Sequence, residues 1–334
     1  MKKTIYCHYG SDNHTVVDFY VDIIIEAVKR LGYNVEIVTY ADAHTMDKSA
    51  YIIDIAPISI LRWRMKGFKN FILWNQGILP EESALRHNGS RIRYIVCGIL
   101  EKLALKIARF QLFVSHVMKE HYENKYHLNF GENYYIMPCY NCEIEKDSFF
   151  TPRKYENNIF TYVGSLAEWQ CFEETAVIYK QIEDRLGNTE FLVCTPDVEI
   201  AKTILDKLQV KNSSVQFVKQ QQLSDILKKC KFGFIIREDC PINNVATPTK
   251  LSTYMSNGII PIVSNCIHEY DRFFKDYKYV VSVEDKVDLA DIEILSQESI
   301  DPDSIYNEFK GFFNAYYNSE EHIKAICNKL RLIL

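Results

Sequence analysis

The sequence predicts an α/β protein with two doubly wound parallel sheets that face each other across a cleft. Apolar runs of strand length alternate with helical segments, the alternation pauses once, and it then resumes. At 334 residues the chain has room for two domains of about 150 residues each. Strands and helices in this order favour parallel strands joined by right-handed helical crossovers.

The first domain is predicted to span residues 1–152. Its first strand leads into a turn with a single glycine, Gly10, and then into an amphipathic helix that runs to about Leu31. Because the glycine-rich fingerprint of dinucleotide-binding folds is absent, nicotinamide and flavin cofactors lose most of their support. The predicted strands are Thr4–His8, Val35–Thr39, Tyr51–Ile55, Asn70–Trp74, Gln111–Val114 and Tyr134–Met137.

The second domain is predicted to span residues 153–305 and to be followed by helices at residues 306–334. A polar, proline-containing stretch at residues 149–158 is the expected linker. Two of the predicted helices are Phe172–Leu186 and Leu223–Cys230. The predicted strands are Ile159–Val163, Phe191–Cys194, Ser214–Phe217, Phe232–Ile236, Ile259–Val263 and Tyr279–Val281.

Composition predicts a cytoplasmic globular protein. Hydrophobic residues make up 47% of the chain and charged residues 25%. No apolar run reaches the roughly 18 residues of a membrane span, and the N-terminus lacks the apolar core of a signal peptide. Ten cysteines with one close pair, Cys139 and Cys142, are typical of buried thiols in a reducing compartment. One Cys-x-x-Cys pair alone is only a weak signal for zinc.

Positive charge is concentrated between Ile55 and Phe110, although the net charge of the chain is −5. Three glutamates oppose ten basic residues there, which leaves +7. Apolar residues between the charges are typical of a helix on an anionic lipid surface, which predicts contact with the inner membrane surface through the basic segment 62–109. An ordinary amphipathic helix with its apolar stripe towards the core is the alternative. Nucleic acid is not an expected partner, since the net charge is negative and no binding motif is present. The basic residues are Arg62, Arg64, Lys66, Lys69, Arg86, Arg91, Arg93, Lys102, Lys106 and Arg109.

The stretch Phe232–Ser264 has the pattern strand, polar loop, helix, strand. Thr247-Pro248-Thr249 predicts a helix start with proline just inside it, and Gly258 predicts the helix end. The N-terminus of a helix presents unpaired N–H groups, and Arg237 and Lys250 can converge on the same place. The stretch therefore predicts a phosphate-binding site.

Several short motifs are distributed over both halves of the chain. The second half carries Tyr162-Val163-Gly164-Ser165-Leu166, Trp169-Gln170, Arg237-Glu238-Asp239, Pro248-Thr249-Lys250 and Tyr254-x-x-x-Gly258-x-x-Pro261-Ile262-Val263. The first half carries the segment from Trp74 to Glu82 and the motif Phe113-Val114-Ser115. Together these motifs resemble those of GT-B glycosyltransferases, and in particular the family 4 enzymes that assemble bacterial surface polysaccharides.

The resemblance implies a fold, a reaction and partners. It implies two Rossmann-like domains, with the acceptor in the first, the nucleotide sugar in the second, and the last helix packed back on the first domain. It also implies metal-independent, retaining transfer of a hexose from a UDP or GDP sugar to a growing surface glycan such as a capsule or an O-antigen. The acceptor would be a glycan, including a polyprenyl-linked one, and no cofactor is expected.

The resemblance also assigns roles to individual residues. Arg237 and Lys250 would contact phosphate oxygens, and the turn Gly164-Ser165 would approach the diphosphate. Val218 and Lys219 would lie beside the base. Trp169 would stack on the base or sugar, or else be an aromatic residue at the edge of the core. The other predicted donor-binding residues are Gln170, Glu238, Asn243, Asn244, Thr247, Pro248, Thr249 and Thr253, and the predicted acceptor-side residues are Gly10, Ser11, Gln76 and Gly77.

The chain departs from the family pattern at four positions. Ser165 and Gln170 stand where the family usually has arginine and lysine, and Val245 and Thr253 stand where it usually has glutamates. Either Arg237, Glu238 and Lys250 take over the missing roles, or the donor is unusual, or the chain is an inactive descendant.

Two residues are candidates for accepting the proton of the acceptor hydroxyl, and the resemblance to retaining enzymes implies the donor phosphate itself as the alternative. His14 lies in the first turn and Glu81 follows the Gln76-Gly77 turn, both at positions where cleft residues of α/β folds occur. Each also has a purely structural interpretation, as a neighbour of a helix start. No Asp-x-Asp motif follows a strand, since Asp301-Pro302-Asp303 opens a helix, and no metal is expected.

The leading hypothesis is a glycosyltransferase at the cytosolic face of the membrane. One alternative is a nucleotide-sugar epimerase of the same architecture, which would act on its donor with no acceptor. The other is a non-catalytic sugar-binding protein, for which the missing glutamates are the main argument.

Overall fold

Two parallel six-stranded sheets form the framework of the protein in the computed structural model, which describes residues 3–9, 16–284 and 289–334. Every registered strand pair in both sheets is parallel. Helices occupy most of the connections between strands, as parallel strands require. The predicted α/β fold with two doubly wound sheets is confirmed.

The first sheet reverses its strand order beside the first strand of the chain. Its strands are β1 Thr4–His8, β2 Asn34–Ile37, β3 Tyr51–Asp54, β4 Asn70–Asn75, β5 Phe110–Phe113 and β6 Tyr134–Ile136, in the order β2-β1-β3-β4-β5-β6. The chain leaves β1 in one direction for β2 and then crosses to β3 on the other side. The carboxyl ends of β1 and β3 therefore border a topological switch point, the place where ligands of such sheets bind.

The second sheet has the same kind of switch point, between β7 and β10. Its strands are β7 Ile159–Val163, β8 Glu190–Cys194, β9 Ser213–Gln216, β10 Phe232–Ile235, β11 Ile260–Ser264 and β12 Val281–Val283, in the order β12-β11-β10-β7-β8-β9. The residues that follow Val163 and Ile235 are thus the first candidates for ligand contacts in this sheet.

Fifteen α-helices are found in the described ranges. They are α1 Val16–Arg30, α2 Pro57–Met65, α3 Leu79–Leu85, α4 Arg91–Ile107, α5 His116–Tyr126, α6 Lys146–Phe149, α7 Phe172–Leu186, α8 Val198–Lys207, α9 Gln220–Leu227, α10 Pro241–Asn244, α11 Lys250–Ser256, α12 His268–Phe274, α13 Ala290–Gln297, α14 Pro302–Tyr316 and α15 Ser319–Leu330. None of these helices is both long and apolar enough to cross a bilayer.

The chain forms two compact units, each with one sheet. The first unit contains Met1–Cys139, Val245–Thr247 and Asn318–Leu334, and the second contains Tyr140–Asn244 and Pro248–Tyr317. Helix α15 belongs to the first unit, where it packs on α1. There the Cys327 thiol donates to the carbonyl of Ala27 over 3.1 Å, and Arg30 pairs with Glu320 at 2.7 Å.

Residues 149–158, the expected linker, lie inside the second unit. Two aromatic side chains in this polar stretch are buried and anchor it. The ring of Phe149 packs edge-on against Tyr306 of α14. The Tyr155 hydroxyl donates to the carbonyl of Gly258 over 3.0 Å. Apolar burial thus overrides the linker-like composition.

Several element boundaries differ from the predictions by one or two residues or more, and three of them have a clear local cause. Helix α11 begins at Lys250 and not at Thr247, because Pro248 lies in a preceding turn in which the Leu251 N–H donates to its carbonyl. Helix α9 begins at Gln220, three residues before the predicted start, since its polar first turn carries no apolar periodicity. Strand β12 is shifted to Val281–Val283 by its pairing with the end of β11.

Helix α4 turns a row of large apolar side chains towards solvent. Its inward face is held by Glu101, whose carboxylate accepts hydrogen bonds from the Leu79 N–H at 2.7 Å and the Tyr126 hydroxyl at 2.6 Å. The exposed residues keep between 47% and 77% of their surface accessible, so the alternative of an apolar stripe facing the core is wrong for them. They are Ile92, Ile95, Val96, Ile99 and Leu103, spaced as neighbours on one helical face.

Candidate functional site

Lys250 carries a buried ammonium group that has no hydrogen-bond partner among the described residues. Its Nζ is fully enclosed and lies 3.9 Å from the centroid of the Tyr162 ring. Burial lowers the pKa of Lys250 well below its usual range, and the nearby charge of Arg237 lowers it further. A buried cation is costly unless it is paired, and the aromatic face compensates for only part of that cost. The group therefore needs an anion.

Gly164 brings backbone up to this lysine. It follows β7 at a φ of +136°, a conformation that favours glycine, and a Cβ at this position would lie 2.9 Å from Lys250 Cε. Absence of a side chain here thus leaves room for the lysine. Since Gly164 lies at the switch point of the second sheet, the free ammonium group also lies where a ligand is expected.

Arg237 follows β10 on the other side of the same switch point. Its side chain is 8% exposed, and its guanidinium donates to the Gln170 side-chain oxygen at 2.8 Å and to the Ile236 carbonyl at 2.9 Å. Its N–H donates to the Ser264 hydroxyl at 2.9 Å. Burial lowers the pKa of the guanidinium. These contacts hold the guanidinium in place, with no carboxylate among them to neutralise it.

Gln170 stands where the family of the resemblance usually has a lysine, and here it holds the guanidinium of Arg237 in place. Gln170 lies in the short 3₁₀ turn Glu168–Gln170 and supplies both its side-chain oxygen and its backbone carbonyl to Arg237. Its neighbour Trp169 is half-buried in the same turn. Sequence reasoning missed this contact and the aromatic support of Lys250 by Tyr162. Both contacts depend on residues that are distant in sequence and meet only in the folded sheet.

A cavity of about 690 Å³ opens beside Arg237 at the carboxyl ends of β10, β11 and β12. Its walls include Cys171, Ser264 and Cys266, and the exposed Glu238. The volume is in the range of small-molecule sites. Lys250 and Gly164 are not among the described residues of its wall, so the cavity adjoins the site through Arg237.

The loop between β10 and α11 is held by its own polar side chains. Asn243 is buried and donates to the carbonyl of Glu238 at 3.0 Å, whereas Asn244 donates to Asp239 at 2.7 Å and to the carbonyl of Cys266 at 3.0 Å. These amides fix the loop that follows Arg237. These hydrogen bonds give the Asn243 and Asn244 side chains a structural role in the loop.

The positions of the two family glutamates serve other contacts. Val245 is buried, and its carbonyl accepts from the Ser115 hydroxyl at 2.6 Å. The Thr253 hydroxyl lies 3.1 Å from the side-chain oxygen of Asn141. Thr247 accepts from the Cys139 N–H at 3.0 Å within the first unit. None of these three described side chains brings a carboxylate to the site.

The remaining predicted donor-side residues lie at loops and helix starts. The carbonyl of Pro248 accepts from the Tyr270 hydroxyl at 3.0 Å, and that of Thr249 from the Ser252 hydroxyl at 2.9 Å. Ser165 is exposed, with its carbonyl bonded to the Tyr162 hydroxyl at 2.7 Å. Val218 and Lys219 follow β9, and Lys219 precedes α9.

On the first unit, Glu81 is held in an ion pair. Its Oε1 lies 2.6 Å from Lys125 Nζ and 3.6 Å from His121 Nε2. Burial alone would raise the pKa of Glu81, but the interactions with His121 and Lys125 lower it to about 2. Such a carboxylate is a weak proton acceptor at neutral pH, and the geometry therefore does not favour it as a base.

Gln76 and Gly77 follow β4. The Gln76 amide nitrogen is buried without a hydrogen-bond partner among the described residues, and the Gly77 carbonyl accepts from the Tyr122 hydroxyl at 2.7 Å. A Cβ on Gly77 would collide with the Glu82 carboxylate. The predicted residues Gly10, Ser11 and His14 lie outside the described residues.

Comparison with known proteins identifies the architecture. No model of a protein family and no curated protein matches the sequence. Solved structures are nevertheless similar over its full length. Sucrose-phosphate synthase (tll1590) from Thermosynechococcus elongatus covers 99% of each chain at 12% identity, with a TM-score of 0.71. Anabaena HepE, in complex with UDP and glucose, covers 99% of this chain and 100% of its own at 9% identity and a TM-score of 0.70.

A third similar structure is the apo form of the lipopolysaccharide outer core galactosyltransferase WaaB, which covers 100% of both chains at 14% identity and a TM-score of 0.63. All three are GT-B glycosyltransferases. The chain has a GT-B fold. Within this GT-B chain, Lys250, Arg237 and Gly164 meet at the switch point of the second sheet, so they can hold an anionic ligand there.

Proposed function

We propose that the protein is a glycosyltransferase that moves a hexose from a nucleotide diphosphate sugar to a glycan acceptor. The observation that carries the proposal is the buried ammonium group of Lys250, which has no partner among the described residues and lies near Gly164 and Arg237 at a switch point. The alternative of a sugar-binding protein rested on the missing glutamates. Both hypotheses use the buried ammonium group to bind an anionic ligand, so turnover separates them.

The chemistry of glycosyl transfer suits these two cations. Negative charge grows on the departing diphosphate as its bond to the anomeric carbon breaks, so preorganised cations that contact it stabilise the transition state more than the ground state. Lys250 is proposed to contact the phosphate directly, while Gln170 holds Arg237 in place beside it. Two protein cations can meet the charge without a divalent ion, and we propose that none is needed.

The finer assignments follow from the fold relatives and from the resemblance. UDP is the proposed nucleotide, because the similar HepE structure is a complex with UDP and glucose. A surface glycan is the proposed acceptor, in line with the similarity to the lipopolysaccharide galactosyltransferase WaaB. A retaining course is proposed from the family resemblance, and the anomeric configuration of the product, read by NMR, tests it.

We expect UDP to raise the melting temperature of the protein and the Lys250→Met variant to lose that shift. A ligand at a hundred times its dissociation constant stabilises a fold by about 2.7 kcal/mol, which a thermal-shift assay resolves. The panel contains UDP, GDP, ADP, CMP and their common sugar conjugates, each with and without EDTA. A panel in which no diphosphate shifts the wild-type protein would overturn the donor site.

Turnover assays separate the enzyme alternatives. A transferase releases UDP faster when an acceptor is present, whereas an epimerase converts the nucleotide sugar without one. Binding of UDP with neither reaction, across a panel of glycan acceptors, would favour the sugar-binding protein.

We also propose that the first unit contacts the cytoplasmic face of an anionic membrane through helix α4. The exposed row of Ile92, Ile95, Val96, Ile99 and Leu103 lies among basic residues of the segment 62–109. Helix α2 packs against α4, and Met65 at its end is another exposed apolar residue. Apolar burial together with attraction to anionic lipid headgroups is the usual basis of such binding. It would bring the enzyme to a polyprenyl-linked acceptor.

We expect the protein to sediment with vesicles that contain phosphatidylglycerol and to be released by high salt. The double substitution Ile95→Glu/Ile99→Glu should weaken vesicle binding at least about tenfold, since it removes apolar contact and adds repulsion. Ile200→Glu, an equally exposed isoleucine on α8 in the second unit, is the matched control. Equal binding to neutral vesicles, or equal loss in both variants, would contradict the proposal.

A further inference from the structure

Cys171 has a backbone conformation that side chains rarely adopt. Its φ and ψ are both +50°, in the left-handed region, although the residue is not a glycine. A side chain in this region costs free energy, and such residues persist where surrounding contacts hold them. Cys171 is 6% exposed and lies in the wall of the cavity beside Arg237. Because strained residues cluster at functional sites, the contacts of Cys171 point to its role.

Cys171 is the joint between a 3₁₀ turn and a helix. It ends the turn Glu168–Gln170, where its N–H donates to the Glu168 carbonyl at 3.2 Å, and it precedes α7. Its own carbonyl accepts from the Thr175 N–H at 3.0 Å and from the Thr175 hydroxyl at 2.8 Å. These bonds hold the first turn of α7 on Cys171, so the helix begins only after this residue.

The joint leaves the Gln170 carbonyl outside α7. With right-handed dihedrals at residue 171 the turn would run on into the helix, and this carbonyl would face the N–H group four residues later. In the observed conformation it accepts instead from Arg237 Nη1 at 3.3 Å, and the Gln170 side-chain oxygen accepts from Nη2 at 2.8 Å. The left-handed residue thus directs both oxygens of Gln170 to one guanidinium.

The thiol of Cys171 makes a second connection, to the residue that follows Arg237. Burial raises the pKa of this thiol, whereas a hydrogen bond from the backbone of Glu238 lowers it. Glycine would fit the left-handed backbone without strain, but it has no side chain to accept that bond. Residues 170 and 171 therefore hold residues 237 and 238, across the switch point between β7 and β10.

We propose that Cys171 is a positioning residue of the donor site, which fixes Arg237 beside the diphosphate through Gln170 and through its own thiol. This inference deepens the proposed function, on which it rests for the identity of the ligand. A cation that is fixed in advance needs no rearrangement as negative charge grows on the leaving group. Cys171 should therefore act on kcat more than on the binding of the nucleotide sugar.

The first test observes the guanidinium itself and needs no turnover. Proton–nitrogen NMR on the full chain labelled with ¹⁵N-arginine, with Arg237 assigned from the Arg237→Lys variant, follows exchange of the guanidinium protons with water. Cys171→Ala keeps the left-handed strain but lacks the thiol, and it should speed this exchange about tenfold, the worth of a good hydrogen bond. Cys171→Ser keeps an acceptor and should restore slow exchange. Equal exchange in the wild type and Cys171→Ala would overturn the proposal.

Kinetics with a UDP sugar test the consequence for the reaction. Cys171→Ala and Cys171→Gly are expected to lower kcat about tenfold and to leave KM within about threefold, whereas Cys171→Ser keeps most of the wild-type rate. Glycine relieves the backbone strain, so Cys171→Gly should be at least as stable as Cys171→Ala. A purely structural role would make the rate follow stability, and a wild-type rate in Cys171→Gly would overturn the proposal.

Gln209→Gly is the matched control. Gln209 is an exposed residue between α8 and β9 of the same unit, and its φ of +56° is also left-handed. Its replacement should change neither the exchange of the Arg237 protons nor kcat. Slow exchange that depends on Cys171, in a protein with no turnover, would refute the proposed function alone. Turnover that is equal in the wild type and Cys171→Ala would refute only this inference.

Discussion

Replacing Lys250 by methionine is expected to lower the rate of sugar transfer by about a hundred- to a thousandfold while the free protein becomes more stable. Loss of one preorganised group that contacts developing charge costs about 3–4 kcal/mol in transition-state free energy. In the free protein the same ammonium group is buried without a hydrogen bond among the described residues, so its removal relieves a desolvation cost. A loss of activity with a gain of stability is the signature of a functional site under strain.

The stability gain should depend on pH. Burial holds the pKa of Lys250 well below its unfolded value of about 10.4, so between these two values the unfolded chain binds more protons. The unfolding free energy of the wild-type protein therefore rises with pH between the folded and the unfolded pKa of Lys250. The extra stability of the methionine variant is largest at pH values below the folded pKa. Denaturation midpoints at several pH values measure the gain, and initial rates with a UDP sugar measure the loss.

Lys202→Met is the control for both measurements. Lys202 is an exposed lysine of the same unit, paired with Glu199 at 3.0 Å. We expect no change in rate or stability there, because exposed pairs contribute little. A Lys250→Met variant that keeps its rate within about fivefold of wild type would remove Lys250 from the site.

Substitution of Gly258 by alanine is expected to cost roughly 2–5 kcal/mol of unfolding free energy. Gly258 ends α11 at a φ of +68°, where a side chain adds about 1–2 kcal/mol of backbone strain. A Cβ would also lie 2.7 Å from the Tyr155 hydroxyl and 2.9 Å from the Phe149 ring. Overpacking of that kind adds about 1–3 kcal/mol.

Gly187→Ala separates the two contributions. Gly187 follows α7 in the same unit at a φ of +72°, but a Cβ added there would meet nothing within 4 Å. The Gly187→Ala variant should lose only the about 1–2 kcal/mol of unfolding free energy that comes from backbone strain. Urea denaturation midpoints of the two variants, compared with wild type, measure the difference. Equal losses would mean that Tyr155 and Phe149 move aside freely.

Periodicity in the sequence was enough to locate the strands of both sheets and helix α7, because each pairs or packs through its own apolar residues. It failed where local composition and tertiary burial disagree. The stretch around Phe149 and Tyr155 looks like a linker but buries both rings. Helix α4 looked as though it could face the core, but the buried Glu101 turns its apolar row outwards.

The prediction that Gly164, Arg237 and Lys250 lie close together followed from the sequence, since each follows or precedes an element that periodicity defines. The sequence could not show the pairing of His8 with Asp54, which depends on strand register across 46 positions. The ion pair of Glu81 was hidden for the same reason. Its partner Lys125 lies 44 positions away, and the interaction lowers the pKa of the carboxylate.

The position of α15 has a consequence for protein synthesis. The face of α1 that this helix covers, which includes the fully buried Ala27, is made some 290 residues earlier. During translation that apolar face stays open while the whole second unit is synthesised. A chaperone that binds apolar surface therefore has a long time in which to bind this face of α1. No single cut in the chain can separate the two units either, because the second unit lies between segments of the first.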